Sequence, residues 1–127
     1  MNTQQCINVL SGHTSWCRSC CFTADGTLLA STSDDYTVRL WDIRTRQSIA
    51  TLTSHGCTHQ CSFSSDGAWI AAACGNAKVA RVWDVKTHRC IATLQHDDHV
   101  YACSFSSNGM IAAATGRDAD TAVWLWN

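Results

Sequence analysis

The chain has 127 residues, of which 46% are apolar and 15% are charged, and its formal net charge is −1. This size and composition fit one domain with a buried core and argue against bulk disorder. The near-neutral charge argues against binding driven by nucleic-acid phosphates or an anionic membrane, and no apolar run reaches the roughly 18 residues that span a bilayer.

The cysteine content indicates the redox compartment. There are nine cysteines, an odd number, and the N-terminal segment MNTQQCINVL lacks the basic and long apolar parts of a secretory signal. A disulfide framework would leave one thiol unpaired and has no export route. We therefore expect free thiols in a reducing compartment, which is the cytoplasm or, as the alternative, the nucleus.

Three copies of one unit fill the chain, at about 5–42, 47–84 and 89–127, within a single segment that covers 1–127. Equivalent residues recur at spacings of 41 to 43. Since several unrelated sets of equivalent residues recur at the same spacing, the pattern indicates a true structural repeat. The clearest columns are Ile7, Ile49 and Ile91; Leu10, Leu52 and Leu94; Phe22, Phe63 and Phe105; and Trp41, Trp83 and Trp126.

Each unit contains four short strand-like runs. In the first unit they read CINVL, WCRSCCF, LLASTS and TVRLW, and Asp25-Gly26 separates the second run from the third. An Asp-Gly or Asn-Gly pair between two such runs is a strong hairpin signal. No segment has a sustained helical period, so helices should be few. Four antiparallel strands repeated every 42 residues or so predict an all-β chain of β-propeller blades.

Repeat one resembles the WD-repeat β-propeller family. It contains the motifs LSGH, FTADG and LLASTSDDYTVRLWD, which are similar to the family's Gly-His start, its turn and its Trp-Asp end. The resemblance covers residues 5–127. It is weaker in the later repeats, where Gly-His becomes Ser54-His55 and Gln95-His96, and where the last Trp-Asp becomes Trp126-Asn127.

The resemblance implies a structural hydrogen-bond network in repeat one, formed by His13, Ser31, Asp35 and Trp41. These residue types also occur in hydrolytic triads, but no G-x-S-x-G elbow accompanies them, so we favour a structural role. The other repeats keep only part of the set. We expect them to be looser, with the network represented by His55 and Trp83 in repeat two and by His96, Asp120 and Trp126 in repeat three.

The Cys and His residues raise the alternative of a metal-binding or thiol-redox protein. Cys17 and Cys20 have the spacing of a zinc-finger pair, and Cys57, His59 and Cys61 follow in the next repeat. There is no second C-x-x-C and no H-x(3–5)-H, and Cys behaves as a small apolar residue when buried. We therefore expect packing thiols, no metal and no cofactor.

The family binds partner peptides at the narrow opening of the propeller, where the innermost strands begin. The resemblance places eight residues of this chain at that opening: Trp16, Arg18, Asp34, Cys57, His59, Asn76, His99 and Tyr101, with Ala119 beside them. Aromatic and Arg side chains are common interface anchors. Ordinary half-buried strand chemistry remains the alternative reading of these positions.

Three blades cannot close a ring, because propellers have four to eight. The last blade also lacks its outer strand, for which residues 5–10 or another chain are the candidates. We expect a homo-oligomer or part of a longer propeller. The predicted function is a non-catalytic scaffold that presents its rim to a protein or peptide, with no nucleic-acid or membrane partner.

Overall fold

The computed structural model describes residues 4–116 and 122–127. Over these residues it forms eleven strands and one 3₁₀ turn, Gly75–Ala77, with no α-helix. In chain order the strands are β1 Cys17–Phe22, β2 Leu28–Ser33, β3 Thr37–Asp42, β4 Gln47–Thr53, β5 Thr58–Phe63, β6 Trp69–Cys74, β7 Val79–Asp84, β8 Cys90–Gln95, β9 Val100–Phe105, β10 Ile111–Thr115 and β11 Val123–Trp126.

The strands form three antiparallel sheets in sequence order, which we call blades one, two and three. Blade one contains β1 to β4, blade two contains β5 to β8, and blade three contains β9 to β11. The prediction of an all-β chain of propeller blades is confirmed. Each blade comes from one stretch of chain because every strand pairs with its sequence neighbour.

Short turns join the first and second strands of each blade. Gly26 and Gly67 have φ angles of 73° and 74°, a left-handed conformation that glycine adopts without a steric cost. In the first turn the carboxylate of Asp25 accepts hydrogen bonds from the hydroxyl of Thr23 and the backbone N–H of Thr27. The Asp-Gly pair predicted from the sequence therefore builds the turn through both its residues.

The hydrophobic core lies between the blades. Successive residues of a strand point to opposite faces, and β6 uses this alternation with small side chains. Ala72 and Cys74 join the core shared with blade one, whereas Ala71 and Ala73 join the core shared with blade three. Blade two is therefore buried on both faces.

One predicted strand is absent. The run CINVL, residues 6–10, forms no strand, whereas the equivalent runs of the next repeats form β4 and β8. β4 pairs with β3, and β8 pairs with β7, the strand that precedes each of them in its blade. Residues 6–10 come before β1, so the described chain places no such strand ahead of them. The side chain of Ile7 is 79% exposed, and its carbonyl accepts a hydrogen bond from Nη1 of Arg46. Blade three accordingly has three strands.

Candidate functional site

The four network residues of repeat one are joined by hydrogen bonds. Nδ1 of His13 lies 2.8 Å from a carboxylate oxygen of Asp35, and Nε2 lies 2.7 Å from the hydroxyl of Ser31. The indole N–H of Trp41 donates to the same hydroxyl at 2.9 Å. The residues come from the segment before β1, from β2, from the β2–β3 loop and from β3, so the network ties most of blade one together.

Asp35 is the charged end of this network. Burial raises the pKa of its carboxyl, but hydrogen bonds from the hydroxyl of Thr37, from His13 and from the backbone N–H of Thr14 lower it more strongly, to about 2. The side chains of His13 and Asp35 are only 6% and 7% exposed. The carboxylate is therefore ionised at neutral pH and its oxygens have hydrogen-bond donors.

The expected role of His55 in repeat two is wrong. His55 is exposed to solvent and has a φ angle of 60°, so its imidazole is not enclosed within the blade as that of His13 is. The neighbouring Ser54 is fully buried, and its hydroxyl contacts the hydroxyl of Thr58 at 2.6 Å and the carbonyl of Gly56 at 2.8 Å. Repeat two therefore replaces the imidazole with a compact hydroxyl pair, while Trp83 remains buried in the core.

Repeat three uses a shorter connection. His96 is buried, and its Nε2 accepts a hydrogen bond from the indole N–H of Trp126 at 3.1 Å. The position of the network serine is Ala113, which is also buried, so indole and imidazole meet directly. Trp124 stacks on Trp126 and touches His96 with its edge. Repeat three therefore links its imidazole to its indole without the serine, and Asp120 lies outside the described residues.

The rim residues of repeat one form a cluster. The guanidinium of Arg18 donates two hydrogen bonds to the carboxylate of Asp34, at 2.9 and 2.5 Å. The same guanidinium lies 5.2 Å from the ring centroid of Trp16, which is within cation–π range. Trp16 is 73% exposed, so this arrangement holds a large aromatic surface in solvent.

The rim continues through the next two repeats. In repeat two, the amide oxygen of Asn76 accepts a hydrogen bond from the backbone N–H of Cys57. The ring of His59 on β5 lies 5.0 Å from that of Tyr101 on β9, which joins blades two and three. Tyr101 in turn stacks on His99 with an interplanar angle of 16°. The structure brings all eight predicted rim residues into these local groups, while Ala119 lies outside the described residues.

Charges at the rim act across the repeats. Burial lowers the pKa of His59, and the nearby positive charge of Arg18 lowers it further. Burial and the negative charge of Asp34 raise the pKa of Cys57. The hydrogen bonds from Arg18 hold the pKa of Asp34 below its usual range. Near neutral pH the rim therefore presents a neutral imidazole and a neutral thiol beside one closed ion pair.

Two glycines that the sequence analysis did not single out shape the rim. A Cβ atom on Gly75 would lie 2.5 Å from Nε2 of His59, and one on Gly56 would lie 2.6 Å from the amide oxygen of Asn76. Any side chain at these positions would displace the rim residue. Gly56 lies next to Cys57 and Gly75 next to Asn76, which is the only sequence signal that could have revealed them.

The expectation that most cysteines are packing thiols holds for only part of the set. Cys61, Cys74 and Cys103 are buried, and Cys21 and Cys57 are half-buried. Four are exposed: Cys6, Cys17, Cys20 and Cys90. Cys17 and Cys20 are exposed on β1, whereas Cys21 of the same strand faces Cys61 of blade two. Within residues 4–116 and 122–127, no three His, Cys, Asp or Glu side chains are arranged to hold a metal ion.

Asp98 and His99, which lie just before β9, contact each other. The carboxylate of Asp98 accepts a hydrogen bond from the backbone N–H of His99 and lies 3.1 Å from its Nδ1. The described residues contain no helix with the length and apolar character that crossing a bilayer requires.

Comparison with known proteins identifies the repeats. The family model for the WD domain, G-beta repeat, matches residues 4–42, 46–84 and 88–127. Nuclear distribution protein PAC1 of Arthroderma otae is 42% identical over 59 residues, or 46% of this chain and 13% of that protein. Periodic tryptophan protein 2 homolog of Mus musculus is 40% identical over 83 residues, or 62% of this chain and 9% of that protein.

The chain thus spans a small part of the length of the curated relatives that it matches. Hydrazine synthase of Kuenenia stuttgartiensis has a similar fold, with a TM-score of 0.81 over 93% of this chain and 35% of the solved one. The sequences are 15% identical, so this likeness concerns the fold alone. Because the family model matches three times and covers almost every residue, the chain belongs to the WD40 family of WD-repeat proteins.

Proposed function

We propose that this chain is a non-catalytic protein-interaction scaffold whose rim binds a peptide or a partner protein. The observation that carries the proposal is the contact between His59 and Tyr101, which makes one aromatic surface from two blades. Membership of the WD40 family supports a scaffold role in general. The odd number of cysteines supports a reducing compartment, cytoplasmic or nuclear. The net charge of −1 supports a partner other than nucleic acid.

The rim has the features of an anchor surface. Trp16 is exposed and held by Arg18, whose own charge is paired with Asp34. A partner that covers Trp16 therefore gains apolar burial without having to desolvate an unpaired charge. Tyr101 is 39% exposed and adds a hydroxyl to the same surface, which suits a hydrogen bond to a peptide backbone.

Calorimetry on rim variants tests this proposal once a partner has been isolated by pulldown. Trp16→Ala and Tyr101→Ala should each weaken binding by about 1–3 kcal/mol, the range of central interface anchors. The matched control is Ile49→Ala, which removes a half-exposed apolar side chain from the outer strand β4. If Ile49→Ala weakens binding and the rim variants do not, pairing at a strand edge replaces the rim as the binding mode.

A second rim variant leaves every anchor in place. Gly75→Ala should push the imidazole of His59 away from Tyr101, because the new Cβ would overlap Nε2. We expect weaker binding with little loss of stability. An unchanged affinity, with a crystal structure showing His59 displaced, would contradict a role for the His59–Tyr101 contact.

Ser31, His13 and Asp35 have the hydrogen-bond order of a hydrolytic triad, so hydrolysis is the alternative to a structural network here. The indole of Trp41 also donates to the Ser31 hydroxyl, which suits a structural link better than a nucleophile. Ester hydrolysis by the folded chain separates the two. A background rate that Ser31→Ala leaves unchanged supports the structural role, and a genuine activity that this variant abolishes contradicts it.

We also propose that further WD-repeat blades cover blades one and three on the faces that point away from blade two. These blades would come from a second copy of the chain or from more repeats. Val9 before blade one and Val123 and Leu125 on the edge strand β11 are exposed apolar side chains. An open strand edge of this kind favours pairing with another strand. Light scattering on the 127-residue chain should give an oligomer that is lost when residues 5–10 are deleted. A stable compact monomer would contradict this proposal.

A further inference from the structure

Two cysteines from neighbouring blades face each other inside the protein. Cys21 lies on β1 of blade one and Cys61 lies on β5 of blade two, and their sulfur atoms are 3.0 Å apart. They do not occupy equivalent positions of the repeat, because the position of Cys61 corresponds to Cys20 in the first unit. The contact between the two cysteines therefore arises from the packing of one blade on the next, and the 42-residue repeat of the sequence does not predict it.

The two thiols differ in access and in acidity. Cys61 is buried in the core between the blades, whereas Cys21 is half-buried at the edge of that core. A hydrogen bond from Cys61 lowers the pKa of Cys21, and the same contact together with burial raises the pKa of Cys61. A half-buried, more acidic thiol beside a fully buried one suits an arrangement in which the first attacks a disulfide and the second resolves the product.

We propose that Cys21 and Cys61 form a thiol–disulfide exchange site that accepts small disulfides of the glutathione class and closes a covalent bridge between blades one and two. The Cys21 thiolate attacks one sulfur of glutathione disulfide, and the first glutathione leaves as a thiolate. The Cys61 thiol then loses its proton to the first glutathione thiolate, attacks the Cys21 sulfur and releases the second glutathione, which takes a proton from water. One protein disulfide and two glutathione thiols replace two protein thiols and one glutathione disulfide.

The bridge requires a small movement and has a mechanical consequence. The sulfur atoms, now 3.0 Å apart, must approach by about 1 Å to reach the ~2.05 Å of a disulfide bond. The bond would join strands whose cysteines are 40 residues apart in sequence, so it constrains a long loop of the unfolded chain. The oxidised protein should therefore unfold at a temperature several degrees higher than the reduced one.

Cys20 provides the matched control. It is adjacent to Cys21 on β1, it is exposed, and its side chain points to the opposite face of the strand. If access alone governed oxidation, Cys20 would react first and would pair with Cys17 or with another molecule. If the proposal is correct, Cys21 pairs with Cys61 although more exposed thiols are present.

The experiment oxidises the folded, reduced chain with glutathione disulfide, blocks the remaining thiols with iodoacetamide and maps the linked peptides by mass spectrometry. We expect the Cys21–Cys61 bridge to form at least about tenfold faster than any other protein disulfide. The Cys20→Ala variant should form it at the same rate. The Cys61→Ala variant, which keeps a small apolar group in the core, should instead accumulate one glutathione on Cys21.

Two results would overturn the proposal. One is a set of disulfides dominated by Cys17 or Cys20 while Cys21 remains open to alkylation. The other is equal formation of the Cys21–Cys61 bridge in urea, since the folded blades would then not direct the pairing. If Cys61→Ala fails to fold, the time course of oxidation of the unmodified chain decides instead. Glutathione must then appear on Cys21 before the Cys21–Cys61 bridge forms. A bridge that forms without this intermediate overturns the mechanism.

Discussion

The three repeats of this chain provide hydrogen bonds at the same position of the blade in three different ways. Repeat one connects His13 to Trp41 through the hydroxyl of Ser31. Repeat three has no such hydroxyl, and Trp126 donates directly to His96. The common feature is that buried polar groups have hydrogen-bond partners, which matters more to stability than the identity of the residues that supply them.

Repeat two takes the substitution further. Its imidazole is in solvent, and the space beside the strand start is filled by the hydroxyls of Ser54 and Thr58. Nε of Arg81 also donates to the backbone carbonyl of Ser54 at 2.9 Å, which satisfies the buried chain at this point. A histidine at the motif position is therefore not evidence that the network forms, because a neighbouring small polar residue can take over its function.

The largest expected effect comes from the same substitution in repeats one and two. His13→Asn removes the contacts to Asp35 and Ser31 and should lower the free energy of unfolding by about 2–3 kcal/mol. His55→Asn should change it by less than about 0.5 kcal/mol, because His55 is exposed and Asn tolerates its positive φ angle. Urea unfolding of both variants, followed by tryptophan fluorescence, measures the difference.

Equal losses in the two variants would contradict this comparison, since they would mean that His55 supports blade two in solution. A loss at His13 that Ser31→Ala reproduces, and that does not increase when the two substitutions are combined, would show that both residues act in one network. The double variant therefore distinguishes a shared network from two separate local defects.

The second expected effect is a loss of stability in acid that depends on Asp35. The pKa of Asp35 in the folded chain is about 2, below the ordinary value of 3.8, so the folded state favours the ionised form. The stabilisation is complete above about pH 4 and is lost as the pH falls towards 2. After allowance for solvent screening it amounts to about 1–2 kcal/mol.

Unfolding curves between pH 5 and 2 test this dependence, with the pH range chosen to bracket both pKa values. Asp35→Asn should be less stable at neutral pH and should have a shallower decline in acid. Asp66→Asn is the control, because hydrogen bonds within its turn also lower the pKa of Asp66, yet it lies far from the network. An identical acid decline in Asp35→Asn and the unmodified chain would contradict the role assigned to the carboxylate.

Most of the fold follows from short-range signals in the sequence. The Asp-Gly turns and the alternating runs predict most of the strands from local chemistry, as in β1 and β2 around Asp25. The unpaired run at residues 6–10 was not predicted, because a strand needs a partner and the run itself carries no information about one. The same limit applies to Cys21 and Cys61, whose contact depends on how two blades pack.

The site was predicted in the same uneven way. Motif position correctly located Arg18 and Asp34 near each other, since both lie at the ends of one hairpin. It failed at His55, which has a left-handed backbone conformation and an exposed side chain. It also missed Gly75, whose importance comes from the imidazole of His59 above it. Contacts between blades and left-handed backbone positions are the two features that repeat spacing does not encode.

The smallest expected effect comes from restoring the family motif in repeat three. Ala113→Ser would introduce the hydroxyl that repeat one has at Ser31, and the motif alone predicts a more stable blade. The structure predicts a loss of about 1 kcal/mol, because Trp126 already donates to His96 and the new hydroxyl would be buried beside a satisfied pair. Ala112→Ser, on the less buried face of β10, is the matched control and should be close to neutral. Thermal unfolding of both variants decides the question, because a clear gain in stability for Ala113→Ser would mean that the direct indole–imidazole contact is the weaker of the two arrangements.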